Sequence, residues 1–270
     1  MKLSINTLIY LEEPYDRALE RLAAQGYKAI ELFGDTPTID YSCATAHDIA
    51  TICSLRDRYG LELSMHGPCW DLNPASANRG HRDDVVVRFL EGVRLAAAIG
   101  ADTMVVHSGL LSDSKLSRAD ALRYAADTIA RCVPEAERLG VTLAVENVGY
   151  GATCMLRDVS DWTGLAEAIG SPAVGLALDV GHATLQGFDL LAAIRAAGPR
   201  LKHLHLHSNS GRSDDHWRFD EGVVDFRPVV QGLKEIGFTG CASVEIYAPT
   251  RREEALEASV RLFERLWNEA

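Results

Sequence analysis

The chain has 270 residues, 47% of them hydrophobic and 24% charged, proportions that are ordinary for a soluble globular protein. Its formal net charge of −11 argues against loose binding to nucleic acid or to an anionic membrane, because proteins that follow phosphate groups usually carry basic patches. The six cysteines form no Cys-x-x-Cys pair, the N-terminus lacks the apolar stretch of a signal peptide, and no apolar run is long enough to span a bilayer. We therefore expect a cytoplasmic protein with reduced thiols and no membrane segment.

Short β-rich runs alternate with longer amphipathic stretches along the whole chain. The predicted strands are, in order, Leu3–Asn6, Lys28–Phe33, Leu61–His66, Asp102–His107, Val141–Glu146, Val174–Asp179, Leu201–His207 and Cys241–Tyr247. The predicted helices between and after them are Pro14–Gln25, Ala44–Tyr59, His81–Ile99, Arg118–Leu139, Val159–Ile169, Asp189–Ala197, Phe226–Ile236 and Arg252–Trp267. Strands that alternate with helices of this length favour parallel β/α units.

Eight such units succeed one another without a linker or a shift in composition. This pattern predicts an α/β protein with a single (β/α)₈ TIM barrel that forms one domain over residues 1–270. A doubly wound sheet with appended strands is the alternative.

Six of the predicted strands carry side chains of the kind that bind metal ions near their carboxyl ends. These residues are His66, His107, Glu146, Asp179, Glu245 and, on strand seven, His203, His205 and His207. In a barrel of parallel strands, these ends meet on one rim, where the active sites of such barrels lie. Because imidazole and carboxylate groups near a core are costly unless they are paired or bound to metal, the pattern favours a metal site.

Three further candidate ligands lie in the loops just beyond the rim. His182 comes after Asp179 in an Asp-Val-Gly-His run, and Asp214 and His216 form an Asp-x-His pair after strand seven. A mixed set of histidines and carboxylates suits Zn²⁺ or Mn²⁺. The residues leave the number of ions open, from one to three.

Several segments resemble the xylose-isomerase-like superfamily, which includes sugar isomerases and epimerases and the endonuclease IV group (AP endonuclease family 2). They are MHGPCWDLNPAS, MVVHSG, LAVENVG, ALDVGHA, HLHLHSNSGRSDDHWRFDEGVVDF and SVEIY. The resemblance covers the whole chain and implies a TIM barrel with a metal site at the carboxyl ends of the strands. The most specific segments are ALDVGHA and the run that begins on strand seven.

The resemblance implies two nested ligand sets. In tagatose-epimerase-like members, one metal is held from strands five to eight, and those roles fall on Glu146, Asp179, His205 and Glu245. In endonuclease IV, nine ligands hold three zinc ions, and the additional positions here are His66, His107, His182, Asp214 and His216.

The choice among the strand-seven histidines depends on the residues that come after each of them. His205 is preferred because the family ligand is succeeded by Leu and then by a polar run. The choice between His205 and His207 stays open, since the alternation of a strand points both to the same side. His203 lies on that side too, deeper in the barrel, and is predicted to be structural.

These sets predict two reactions. The first is a divalent-metal-dependent isomerase or epimerase of a sugar or sugar phosphate, in which Glu146 and Glu245 remove and return a carbon-bound proton through a metal-stabilised enediolate. His182, Trp70 and Arg212 are the expected substrate contacts. The alternative is a multi-zinc phosphoesterase in which Glu146 bridges two ions, acting on a small-molecule phosphoester or, less expected, on abasic-site DNA. A barrel that only binds sugar or metal comes third, and the sequence leaves a homo-oligomer open.

Overall fold

Eight parallel strands close into a barrel in which each strand pairs with the next along the chain and the last pairs with the first. The computed structural model describes residues 1–35, 39–113 and 115–270. The strands are β1 (Lys2–Asn6), β2 (Ala29–Phe33), β3 (Glu62–His66), β4 (Thr103–His107), β5 (Thr142–Glu146), β6 (Val174–Asp179), β7 (Leu201–Leu206) and β8 (Cys241–Val244). The predicted (β/α)₈ barrel is therefore confirmed.

The outer layer consists of helices, most of which begin and end close to their predicted positions. They are α1 (Tyr15–Ala24), α2 (Ala46–Tyr59), α3 (Arg79–Ile99), α4 (Arg118–Ala130), α5 (Val133–Leu139), α6 (Val159–Ile169), α7 (Val180–Gln186), α8 (Leu190–Ala197), α9 (Arg227–Glu235) and α10 (Arg252–Glu269). Within the described ranges, none of the helices combines the length and the apolar character needed to cross a bilayer.

One helix prediction needs correction, and the structure contains one helix that the sequence did not predict. The predicted helix Arg118–Leu139 is two helices, because Pro134 lies in the first turn of α5, where its missing N–H and fixed φ suit a new start. Helix α7 was not predicted at all. It begins directly after β6, and the Asp179 carboxylate caps it by accepting a hydrogen bond of 2.7 Å from the His182 backbone N–H.

The last two strands along the chain, β7 and β8, end earlier than predicted. Strand β7 stops at Leu206 rather than His207, and β8 stops at Val244 rather than Tyr247. The last residues of both predicted strands therefore lie in loops at the rim. Their side chains need not alternate between the two faces of the sheet as they would in a strand.

Strand β7 also contains one residue more than its partner requires. Leu176 pairs with Leu201, whereas the next pair is Ala177 with His203, so Lys202 is an extra residue opposite β6. This irregularity lets the later histidines of β7 alternate in step with the inward-facing residues of β6.

The core has an outer and an inner part. A large apolar cluster fills the space between strands and helices, and Phe89, Trp162 and Phe263 are among its most deeply buried members. Inside the barrel, Val105, Ala144 and Ala177 form a small separate apolar cluster. Because these side chains are small, the barrel interior has room for buried polar groups.

Candidate metal centre

The carboxyl ends of the strands open into a cavity of about 1120 Å³. Seven of the nine predicted ligand residues line it: His66, His107, Glu146, His182, Asp214, His216 and Glu245. The remaining two, Asp179 and His205, are fully buried and contact members of the lining set. The structure therefore brings all nine positions together at one end of the barrel.

The centre of this arrangement is formed by Glu146, Asp179, His205 and Glu245, which we call the four-residue cluster. His205 Nδ1 lies 3.4 Å from Glu146 Oε1, 3.4 Å from Glu245 Oε2 and 3.8 Å from Asp179 Oδ2. Donor atoms about 2.1 Å from a tetrahedral Zn²⁺ are roughly 3.4 Å apart, so these separations match a metal-binding set.

A second group lies on the β3 and β4 side of Glu146. Glu146 Oε2 is 3.7 Å from His66 Nε2 and 3.5 Å from His107 Nε2. Cys69 belongs to this group, because its sulfur lies within 4.8 Å of the ligand nitrogens of both histidines. The sequence predicts Cys69 only as one of six reduced thiols, and its separation from His107 in the chain gives no sign that the two lie together.

A third group lies on the β6 and β7 side. Asp214 Oδ2 is 3.0 Å from His182 Nε2 and 3.4 Å from His216 Nε2, and Asp214 Oδ1 is 3.8 Å from His207 Nε2. His182 also faces the four-residue cluster, since its Nδ1 is 3.1 Å from Glu146 Oε1. Glu146, itself a member of the four-residue cluster, thus lies within 3.7 Å of ligand-type atoms in both other groups.

His205 and His207 occupy different places. His205 faces the four-residue cluster with Nδ1, whereas His207 Nε2 lies 3.0 Å from both carboxylate oxygens of Asp179. The His207 ring also stacks on that of His216, with 4.0 Å between their centroids. The geometry therefore places His205 against Glu146 and Glu245, and His207 in the third group.

Several ligand-type atoms in these groups are buried without a hydrogen-bond partner among the described residues. They are Glu146 Oε2, His182 Nδ1, His205 Nδ1 and Asp214 Oδ1. A buried polar group without a partner costs about 1–3 kcal/mol, and more when it is charged. Divalent cations would satisfy these atoms together, so the residues present fit a metal site.

The two predicted substrate contacts outside the ligand set lie in different places relative to the cavity. Trp70 lines the cavity, and its ring centroid is 6.0 Å from that of Phe33. Arg212 is exposed on the loop after β7 and does not line the cavity.

A family model described as the xylose isomerase-like TIM barrel matches residues 19–266. The chain belongs to this family. The match spans the barrel from α1 to α10 and so includes every residue of the three groups.

Some of the similar relatives and solved structures are named as epimerases. Fructoselysine 3-epimerase of Shigella flexneri is 22% identical over 266 residues, which is 96% of this chain and 94% of the relative. The crystal structure of a D-tagatose 3-epimerase-like protein has a TM-score of 0.88 and 25% identity, covering 100% of this chain and 99% of that one. The structure of the IOLI protein with a bound zinc atom has a TM-score of 0.81 and 20% identity, covering 100% and 99%, a likeness that shows the fold alone.

Below the cluster of this xylose isomerase-like barrel lies a buried carboxylate that the sequence analysis missed. His203 Nε2 is 3.1 Å from Glu31 Oε2, and His205 Nε2 is 3.1 Å from Glu31 Oε1. Asn6 Nδ2 donates to Glu31 Oε2 at 3.0 Å and to Glu245 Oε1 at 2.9 Å. Glu31 therefore orients the side of His205 that faces away from the cluster. The available signal was a single charged residue inside the apolar run AIELF.

A second missed residue is Asn147, directly after β5. Its Oδ1 accepts a hydrogen bond of 2.8 Å from the Asp179 N–H, and its Nδ2 donates one of 3.0 Å to the Asp179 carbonyl. Asn147 therefore fixes the backbone from which the Asp179 carboxylate extends.

The backbone of His216 is unusual, since its φ is 49°, a left-handed conformation that costs energy in a residue other than glycine.

The carboxyl groups of the cluster have pKa values displaced in opposite directions. Burial raises the pKa of Glu245, and the nearby His205 and His216 imidazoles do not fully oppose this effect. Burial acts in the same direction on Glu146, but His205 and His107 hold its pKa well below the usual range. Burial lowers the pKa of His107 to about 4, which keeps this imidazole in the neutral form that binds metal.

Gly181 is required by the close approach of α7 to His207. A Cβ at this position would lie 2.0 Å from His207 Cε1, and the His207 ring is fully buried. We expect Gly181→Ala to lower the free energy of unfolding by about 1–3 kcal/mol, because the overpacked ring must move. Gly164→Ala in α6 is the matched control, since its Cβ would meet nothing within 4 Å. Thermal unfolding followed by circular dichroism tests this, and equal midpoints for the two variants would contradict it.

Proposed function

We propose that the protein is a divalent-metal-dependent isomerase or epimerase of a keto sugar or a sugar-like substrate. The observation that carries this proposal is the pair of buried carboxylates, Glu146 and Glu245, that line the cavity and each lie 3.4 Å from His205 Nδ1. Carboxylates in such positions are suited to proton transfer at a carbon next to a carbonyl group. The names of the relatives, which are epimerases of sugars and of a sugar–amino acid conjugate, support the same class of reaction.

The four-residue cluster would hold the cation, with Zn²⁺ and Mn²⁺ as the ions that suit its donors. A cation bound there would supply a Lewis acid that polarises the carbonyl oxygen of the substrate. His205 is held for this role from behind by Glu31, and Asp179 by Asn147. These contacts fix the donors before the substrate arrives.

The two glutamates divide the proton transfer between them. One carboxylate accepts the proton from the carbon next to the carbonyl, and the electron pair of the C–H bond moves toward the carbonyl oxygen to give an enediolate. The other carboxyl group returns a proton to the same carbon from the opposite face, which inverts its configuration. His182, which lines the cavity beside Glu146, is placed to bind a substrate hydroxyl.

A zinc-dependent phosphoesterase is the second candidate. The observation in its favour is that the nine ligand-type residues form three groups around Glu146, as a three-ion site would require. Against it, the described residues that line the cavity include no lysine or arginine to bind a phosphate group.

The metal content of the purified protein, measured by inductively coupled plasma mass spectrometry, separates the two candidates. The proposal expects one Zn²⁺ or Mn²⁺ per chain, lost in Asp179→Asn because that carboxylate belongs to the four-residue cluster. His107→Gln is the control and should keep the ion, since His107 lies outside that cluster. Three zinc ions per chain, falling to two in His107→Gln, would overturn the isomerase proposal in favour of the phosphoesterase.

A further inference from the structure

We propose that the substrate is a sugar that carries a bulky uncharged or cationic organic substituent, rather than a free or phosphorylated sugar. This inference rests on the proposed function and specifies its substrate class. The substituent would contact four side chains that line the cavity, which are those of Trp70, Leu110, Tyr150 and Tyr247. We call these three aromatic residues and one leucine the aromatic wall.

The cavity is larger than a free sugar requires. Cavities that bind drug-sized ligands usually measure about 300–1000 Å³, and this one measures about 1120 Å³. A free hexose is much smaller than such ligands and would fill only the part of the cavity next to the glutamates. Because the ligand-type side chains are mostly buried and the aromatic wall is exposed, the remaining space lies on the outer side of the reacting carbon.

Large apolar side chains are exposed in this cavity. Seven large hydrophobic side chains are exposed in the described part of the chain, and the four members of the aromatic wall are among them. Exposed apolar residues that are scattered singly need no explanation, but four that line one cavity are typical of a ligand-binding surface. Aromatic faces stack on sugar rings, apolar groups and cations.

The charges in the cavity lining disfavour an anionic substituent. The described lining of the cavity contains the carboxylates of Asp71, Asp214 and Asp215, but no lysine or arginine side chain. Tyr247, a member of the aromatic wall, donates a hydrogen bond of 2.5 Å from its hydroxyl to Glu12 Oε1, and Glu12 is in turn paired with Arg252. An anionic substituent would therefore meet these carboxylates and no lysine or arginine in the described lining, whereas an uncharged or cationic substituent is accepted.

The test compares substituents at the same carbon of one ketose. The probes are D-fructose, D-fructose with a benzyl ether at C1 or at C6, and the corresponding C1 and C6 phosphates. Uptake of deuterium from D₂O at the carbon next to the carbonyl reports turnover, and isothermal titration calorimetry reports binding. We expect kcat/KM for one of the benzyl ethers to exceed that for D-fructose by about threefold to tenfold, the range that aromatic contacts supply, and the phosphates to react more slowly than D-fructose.

Two tryptophan variants locate the effect. Trp70 is 46% exposed and belongs to the aromatic wall, whereas Trp217 is 38% exposed and does not line the cavity. Trp70→Ala should remove most of the preference for the benzyl ether over D-fructose, and Trp217→Ala should leave that ratio unchanged.

The outcomes separate this inference from the proposed function. Turnover of D-fructose and its phosphates at rates equal to or above those of the benzyl ethers would overturn the inference and leave the isomerase proposal intact. Absence of deuterium uptake from every probe would count against the isomerase proposal, and the calorimetric ranking would still decide the inference. Tighter binding of the phosphates than of the benzyl ethers would then overturn it.

Discussion

In D₂O, Glu146→Gln and Glu245→Gln are each expected to slow inversion at C3 of a ketohexose by about 100- to 10,000-fold, the usual contribution of a general acid or base. The two variants should differ in exchange. From D-fructose, the variant that lacks the abstracting carboxylate should exchange no C3 proton, whereas the other should exchange the proton without inversion. From D-psicose, the C3 epimer, the roles should be reversed, because the second glutamate faces the opposite side of the carbon. Proton nuclear magnetic resonance measures both quantities.

The control is Glu264→Gln, which removes an exposed carboxylate on α10 far from the cavity and should leave both rates unchanged. Metal content is measured for each variant, and the assays are repeated with excess Zn²⁺ or Mn²⁺, because both glutamates belong to the four-residue cluster. If both variants retain the cation and both lose exchange from both epimers, the division of labour between the two carboxylates is wrong.

Glu31→Ala is expected to weaken the binding of Zn²⁺ by about 10- to 100-fold, although Glu31 belongs to none of the three groups. The reason is that His205 would lose the acceptor 3.1 Å from its Nε2, which fixes the tautomer and orientation of the ring. Glu31→Gln should have a smaller effect, because the amide oxygen can still accept the hydrogen bond while the negative charge is lost. Competition with a chromophoric chelator measures the affinity.

Glu62→Gln is the control for this experiment. Glu62 lies on the neighbouring strand β3, but it is exposed at the opposite end of the barrel and pairs with Lys2. Thermal unfolding of the metal-free variants is followed in parallel, and Glu31→Gln carries the test if Glu31→Ala is unfolded at the assay temperature. Wild-type affinity in both Glu31 variants would show that this carboxylate does not position His205.

The parts of the site that could be predicted depend on local sequence. A parallel barrel brings strand ends to one rim, so His66, His107, Glu146 and Asp179 could be assigned to the same end of the barrel from strand boundaries alone. The family match at residues 19–266 and the closed strand order confirm the barrel on which this reasoning depends.

The parts that could not be predicted depend on contacts across the barrel. Glu31 contacts Asn6 on β1, the histidines of β7 and, through Asn6, the carboxylate of Glu245, and no local pattern tells which inward side chains meet. Helix α7 has only seven residues, too few for a clear helical period. The break between α4 and α5 had a local signal in Pro134, and the periodicity on both sides of it masked that signal.

The extra residue at Lys202 has a consequence for anyone who transfers this site to another barrel. The side chains of a strand alternate, so a change of one residue in register moves every later side chain to the other face. In β7 that change occurs between Leu201 and His203, before the later histidines of the strand, and it sets which of their side chains point into the barrel. If the histidines and glutamates were copied onto a regular eight-stranded barrel, the metal-binding side chains would be present. The change of register that orients them would be missing. Lys202 is exposed and belongs to none of the ligand groups, but it has to be transferred together with the histidines and glutamates.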